Sequence, residues 1–131
     1  MVNFLDEAKE LKDTLIKWRR DLHQIPEIGI NLPQTVKYVT ERLSEMNISY
    51  KVHKDISCVE AVIGTGSPCF LLRSDMDALQ VVEEADVTFK SENGCMHGCG
   101  HDLHAAILLG AAKILKNHEA KLKGTVKLLF Q

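Results

Sequence analysis

The sequence predicts an α/β fold in which helices flank a mixed sheet. Over residues 3–22, apolar side chains recur at three- and four-residue steps, as on one face of an amphipathic helix. Three short segments with strand-like composition follow at 49–54, 58–64 and 69–74, and an apolar helix and a further strand come last. This order of helices and strands is typical of the α/β class.

The composition indicates one globular domain. Of the 131 residues, 45% are hydrophobic and 26% are charged, which is enough apolar content to build a core. Sixteen basic and eighteen acidic residues give a net charge of −2. We therefore expect no basic surface that would recruit nucleic acid or an anionic membrane.

The first residues do not indicate a targeting or membrane segment. Residues 1–13 mix charged and apolar side chains and lack the apolar core of a signal peptide. No run approaches the roughly 18 apolar residues of a membrane span. We therefore expect a cytoplasmic protein whose four cysteines are thiols. Cys95 and Cys99 do not form a CxxC redox motif.

The first half of the chain predicts two helices and three strands. The first helix ends before a loop that Pro26 and Pro33 bracket. A second helix is predicted over residues 34–46. The GTGSP stretch at 64–68 has the composition of a hairpin turn between the last two strands. The apolar run CFLLR at 69–73 predicts a strand that is buried on both faces.

The second half predicts a long loop, a helix and a strand. Residues 80–94 read as a loop with one extended piece at 87–89. Residues 103–118 predict a helix that is apolar nearly all round, so we expect it to be buried. A last strand is predicted after Gly124, and no internal repeat is present.

The stretch MHGCGHDLH at residues 96–104 concentrates metal-binding side chains. Cys99 and His101 are separated by one glycine, which allows the thiolate and the imidazole to turn toward one point. Both are preferred zinc ligands and suit several other divalent transition metals. A Cys–His pair also occurs in nucleophilic catalysis, and an ordinary loop-to-helix junction carries similar residues. These alternatives stay open.

Other side chains of this stretch have less defined roles. A helix is predicted to begin at Asp102 or Leu103, with Asp102 either capping it or holding an imidazole in its metal-binding tautomer. His104 lies three residues after His101, on the same side of the first turn. The role of His97 is left undecided.

Asp75 and Asp77, in the stretch LLRSDMDAL at 71–79, come directly after a predicted strand. Two carboxylates at a strand end can ligate a metal, orient a ligand histidine or act as acid and base. They can equally cap a turn or pair with Arg73. Because this segment follows a strand and residues 96–104 precede a helix, we expect both segments to meet at one edge of the sheet.

Together these motifs resemble a known enzyme family. The segment RSDMDAL, followed by MHGCGHDLHAAILLGAAKIL, resembles the metal-dependent amidohydrolases of the aminoacylase and carboxypeptidase type. The most similar branch contains hippurate hydrolase, N-acyl-L-amino-acid amidohydrolases and auxin-conjugate hydrolases. The stretches WRRDLHQIPEIG and GTVKLLFQ also resemble that branch. The resemblance implies that residues 1–131 form the N-terminal portion of a zinc-peptidase-like catalytic domain.

The resemblance also implies roles for individual residues. Cys99 and His101 match the first two protein ligands of a site for two divalent ions, which would be zinc, manganese, cobalt or nickel. Asp77 matches an acidic residue that supports these ligands. Positions around the ligands that would support them further are Asp75, Asp102 and His104. His23 and Glu27 match the opening motif, with structural roles.

One departure from the family determines the expected activity. In the family, the strand ending in Phe-Gln continues into Pro-Ala-Glu-Glu, whose first glutamate is the general base and whose second is a metal ligand. Further histidine ligands and an inserted dimerisation domain come later, whereas this sequence stops at Gln131. We therefore expect a truncated chain that lacks the general base and the dimerisation domain, binds one metal ion or none, and hydrolyses little. Gln80 stands where relatives often have proline, which should alter the loop more than the chemistry.

The resemblance implies a reaction and leaves two alternatives. The reaction is hydrolysis of the amide bond of a small N-acyl amino acid by a metal-activated water. The first alternative is a non-catalytic metal-binding or structural module that pairs its last strand with another chain, and an exposed sheet edge would favour self-association. The second is a hydrolase with a cysteine nucleophile, in which metal would not protect Cys99 from alkylation.

Overall fold

A computed structural model describes residues 2–131 and shows a four-stranded sheet packed against helices. The helices are α1 (Phe4–Glu10), α2 (Lys12–His23), α3 (Pro33–Glu45) and α4 (His101–Asn117). The strands are β1 (Ser49–His53), β2 (Cys58–Thr65), β3 (Cys69–Ser74) and β4 (Gly124–Phe130). Short 3₁₀ helices occupy Lys54–Ile56 and Glu119–Lys121. The predicted α/β class with a helix-flanked, mixed sheet is confirmed.

The predicted helices are present, with one division. Leu11 has a ψ of −1° rather than a helical value, so the first predicted helix is split into α1 and α2. The second predicted helix is α3, which begins with Pro33 in its first turn. Its exposed N–H groups are capped from the preceding loop, where the Glu27 carboxylate accepts from the N–H of Thr35 at 2.8 Å. The structural role predicted for Glu27 is thereby accounted for.

The predicted hairpin between residues 58–64 and 69–74 is wrong. The strand order is β1-β2-β4-β3, so β4 lies between the two strands, antiparallel to β2 and parallel to β3. The connection at 64–68 passes across the start of β4, where Pro68 accepts the N–H of Thr125 at 2.9 Å. Gly124 makes this crossing possible because a side chain there would collide with the Pro68 backbone.

The core lies between one face of the sheet and the helices. Alternate residues of the central strands point to this face and are fully buried: Val59, Ala61, Ile63, Leu128 and Phe130. α3 packs on β1 and β2, α4 packs on β2, β3 and β4, and α1 and α2 pack on α4. This packing places the first turn of α4 near the carboxyl ends of the parallel strands β3 and β4.

Three predictions about burial and local conformation are wrong. β3 is an edge strand rather than a buried one, because it pairs only with β4, and its Phe70 and Leu71 are 63% and 59% exposed. α4 buries one side only, since Leu103 and Ile107 on its other side are more than half exposed. Residues 87–89 form a turn and not an extended piece, with Lys90 N–H bonded to the carbonyl of Val87.

Two other expectations can be compared with the structure. All four cysteines are free thiols, as predicted. Within residues 2–131, no helix combines the length and the apolar character needed to cross a bilayer.

Candidate metal centre

The two segments expected to meet at one sheet edge do so through His101 and Asp77. Nδ1 of His101 lies 2.8 Å from the backbone oxygen of Asp77 and 3.0 Å from its Oδ1. Both atoms are acceptors, so Nδ1 donates to them, and Nε2 is the ring nitrogen left for a metal. A ring nitrogen fixed in this way is the usual arrangement of a metal-binding histidine.

Asp75 faces the same imidazole from the other side. Its Oδ1 accepts from Nη2 of Arg73 at 2.6 Å, which is the pairing that the sequence left open. Its Oδ2 lies 3.9 Å from Nε2 of His101 and 3.8 Å from Nδ1 of His104. Arg73 is itself held by the side chain of Gln131, 2.8 Å away, at the end of β4. One carboxylate oxygen is therefore directed at the free nitrogen of His101.

Cys99 makes no hydrogen bond to this group among the described residues. The thiol is exposed and follows the long loop, directly before Gly100. Gly100 is the N-cap of α4 and has a φ of +75°, a conformation that favours glycine. Within residues 2–131, no three His, Cys, Asp or Glu side chains are arranged to hold a metal ion together. Cys99 and His101 remain the two predicted ligands.

Asp102 does not cap α4, and it points away from the predicted ligands. α4 begins at His101, and the Asp102 side chain is turned into the interior, where it is fully buried. Its Oδ2 lies 2.7 Å from Nδ1 of His23 and 2.8 Å from Nε of Arg19. Asp102 does hold an imidazole, but the imidazole belongs to His23.

His23 connects Asp102 to the long loop. Its Nε2 lies 2.8 Å from Oε1 of Glu83, and the other oxygen of Glu83 accepts the N–H of Ser91 at 2.6 Å. The ring of Phe89 packs edge-on against the His23 ring. We call Arg19, His23, Glu83 and Asp102 the buried charge cluster. No local pattern in the sequence distinguishes Arg19 or Glu83 from other charged residues.

His97 is buried against this cluster. Neither of its ring nitrogens has a hydrogen-bond partner among residues 2–131. Burial lowers the pKa of His97 below its ordinary value, and the nearby Asp102 offsets this effect only in part. Its ring centroid lies 6.4 Å from that of His23. His97 is thus a buried packing partner of His23.

The Glu83 carboxylate gives a prediction for acid stability. Burial alone would raise its pKa, but hydrogen bonds from Ser91 and His23 outweigh burial and lower the pKa to about 2. A lowered folded-state pKa stabilises the fold above the ordinary glutamate pKa of about 4.3, and this contribution is lost as the pH falls toward about 2. We expect unfolding by urea at successive pH values to become easier across this window.

Glu83→Gln should reduce the decrease in the free energy of unfolding that accompanies this fall in pH. The matched control is Glu84→Gln, because Glu84 is the exposed neighbour in the same loop. Glu84→Gln should leave the pH dependence of the unfolding free energy as in the wild type. In Glu83→Gln, the pH dependence that remains is due in part to Glu60 and Glu119, whose pKa values are also lowered by hydrogen bonds. Equal slopes for Glu83→Gln and the wild type would contradict the assignment.

Comparison with known proteins shows which proteins this chain is similar to. The profile of peptidase family M20/M25/M40 matches residues 71–131. An Arabidopsis thaliana IAA-amino acid hydrolase ILR1-like 5 is 44% identical over 98% of this chain and 31% of its own length. The N-acetyl-L-cysteine deacetylase of Bacillus subtilis is 40% identical over 92% of this chain and 30% of its own length.

A solved structure agrees with these relatives. A Bacillus subtilis protein described as a dinuclear metal-binding peptidase of the M20 family superposes with a TM-score of 0.88 and 38% identity, over 94% of this chain and 36% of its own. The chain spans about a third of the length of the relatives it matches. The resemblance deduced from the motifs is confirmed, since the chain is similar to proteins of peptidase family M20/M25/M40.

Proposed function

We propose that Cys99 and His101 bind a divalent metal ion in a hydrolase that cleaves the amide bond of N-acyl amino acids. The observation that carries the proposal is the fixed tautomer of His101, whose Nδ1 donates to Asp77 while Nε2 stays free. The imidazole of His101 and the exposed thiol of Cys99 are donor types that suit zinc and other divalent transition metals. These residues therefore fit the metal that the family implies.

The residues of this chain have separate roles in the proposed site. Cys99 and His101 would hold one ion. Asp77 fixes the orientation of His101, and Arg73 holds Asp75 so that its second oxygen faces Nε2. When bound, the metal would polarise the substrate carbonyl and lower the pKa of a bound water.

The substrate class is inferred from the relatives. Their names describe hydrolysis of an IAA–amino acid conjugate and deacetylation of N-acetyl-L-cysteine, both of which break an amide bond to an amino acid. We infer that the whole protein acts on a small N-acyl amino acid with two metal ions, and works in the cytoplasm. The acyl group and the amino acid stay open.

Hydrolysis assays test this proposal. The 131-residue chain, incubated with N-acetyl and N-benzoyl amino acids and zinc, manganese, cobalt or nickel, is expected to show little or no turnover. The reason is that a catalytic zinc site needs about three protein ligands and a base, and the proposed site here has two ligands and no assigned base. Clear metal-dependent turnover by this chain would contradict the expected inactivity.

The activity itself is tested on any longer product of the same reading frame. We expect such a product to hydrolyse these amides in a metal-dependent manner. A longer product that binds metal but cleaves none of them would contradict the proposed reaction.

One observation favours the non-catalytic alternative. β3 forms an edge of the sheet, and Phe70 and Leu71 on it are more than half exposed. Unpaired strand edges with apolar side chains favour pairing with another chain. Self-association of the 131-residue chain through this edge stays a prediction.

A further inference from the structure

We propose that His23 is the positioning residue of the predicted ligand segment His97–Asp102, an inference that rests on the proposed function of this segment. The His23 side chain is 3% exposed, and each ring nitrogen faces a carboxylate from a different part of the chain. It lies at the end of α2, far from His97–Asp102 in sequence.

The segment contacts the His23 ring at both of its ends. His97 packs against the ring, with 6.4 Å between the two centroids. Asp102 bonds to Nδ1 of His23 at 2.7 Å. Cys99 and His101 lie between these two anchors, so the position of one imidazole restricts both predicted ligands.

The same imidazole also fixes the loop that leads into the segment. Residues 80–100 contain no regular helix or strand. Glu83 bonds to Nε2 of His23 at 2.8 Å, and Phe89 packs against the ring. Cys95 is tied to this anchored part, because its carbonyl accepts from the hydroxyl of Ser91 at 2.6 Å. The loop therefore reaches Cys99 from a point that His23 holds.

Replacing His23 would leave its partners incompletely paired. The cluster joins two basic side chains to two carboxylates, and Glu83 has no second cationic partner among the described residues. Asp102 would keep Arg19 and the N–H of Leu103. Because a partly satisfied buried polar network is unfavourable, the loop and the first turn of α4 are expected to shift to recover partners. His23 would act on the metal site only through this shift, since its ring nitrogens contact Asp102 and Glu83 and not the predicted ligands.

The test compares His23→Gln with the wild-type 131-residue chain by two measurements. Amide hydrogen exchange without metal should become at least about tenfold faster over residues 96–103 and stay unchanged over the middle of α3, which does not touch the cluster. Cobalt(II) titration should show about 10- to 100-fold weaker binding, as for other residues that orient metal ligands. The thiolate–cobalt absorption should also change, which a role in global stability alone would not cause.

The matched control is His118→Gln. His118 is also partly buried and bonds a carboxylate, that of Glu7 at 2.6 Å, but at the opposite end of α4. It should leave cobalt affinity and exchange over residues 96–103 unchanged. If His23→Gln does not fold, Glu83→Gln weakens the contact that the loop makes with Nε2 of His23 and is expected to give the same effects at smaller size.

The outcomes separate this inference from the proposed function. A folded His23→Gln variant with unchanged exchange over residues 96–103 and unchanged cobalt binding would overturn the positioning role. A wild-type chain that binds no cobalt would contradict the metal site, while faster exchange in His23→Gln would still support the positioning role of His23.

Discussion

Cobalt or zinc binding to the 131-residue chain is expected to weaken at least about 100-fold in either Cys99→Ser or His101→Ala. The reason is that the proposed site has only two strong ligands, so each replacement removes half of them. Equilibrium titration gives the affinity and the stoichiometry. With cobalt(II), the thiolate absorption should disappear in Cys99→Ser.

Two variants calibrate this result. Cys69→Ser removes another exposed thiol, at the opposite end of β3, and should bind as the wild type does. Asp77→Ala keeps both ligands and the backbone oxygen 2.8 Å from Nδ1 of His101, but it removes the carboxylate oxygen at 3.0 Å, so its affinity should fall by about 10-fold. Unchanged binding in Cys99→Ser or His101→Ala would place the metal elsewhere.

Alkylation of Cys99 separates the metal site from the cysteine-nucleophile alternative. A thiol that binds the metal should be protected from iodoacetamide by zinc. Cys99 that reacts equally fast with and without zinc, in a chain that hydrolyses amides, would favour the nucleophile. The structure gives this alternative no support, because no hydrogen bond joins Cys99 to His101 among the described residues.

The parts of the fold that depend on local patterns could be predicted from the sequence. Apolar periodicity located α3, strand-like composition located all four strands, and the position of Asp77 after β3 placed it beside His101. Pairing of strands is a non-local property, so the composition of residues 64–68 did not reveal that β4 lies between β2 and β3. Burial of β3 was mispredicted for the same reason, since it depends on the neighbours of the strand.

The direction of Asp102 shows how a small error in a helix boundary changes a site. The sequence predicted that α4 begins at Asp102 or Leu103, but it begins at His101. Each residue turns an α-helix by about 100°, so one position separates a side chain facing the predicted ligands from one facing the core. The contacts of Asp102 with His23 and Arg19 bridge distant parts of the chain, which no local pattern encodes.

Asp102→Ala is expected to lower the free energy of unfolding by about 3–5 kcal/mol. Asp102 is 1% exposed and accepts from Arg19, His23 and the N–H of Leu103. Removing it leaves the buried His23 with Glu83 as its carboxylate partner and takes the carboxylate partner from Arg19, whose side chain is 32% exposed. Such a loss is a large part of the 5–15 kcal/mol that usually stabilises a domain.

Urea unfolding followed by the fluorescence of Trp18 measures this change. Trp18 is the single tryptophan and is buried on α2, next to Arg19. Asp86→Ala is the control, because Asp86 is exposed in the long loop, and it should change the free energy of unfolding by less than about 0.5 kcal/mol. Asp102→Asn keeps the shape of the side chain and removes its charge. If this variant loses less unfolding free energy than Asp102→Ala, its loss measures the contribution of the charge. If Asp102→Ala lowers the free energy of unfolding by less than about 1 kcal/mol, Arg19 and His23 find other partners in the variant. The buried charge cluster then does not determine where α4 begins.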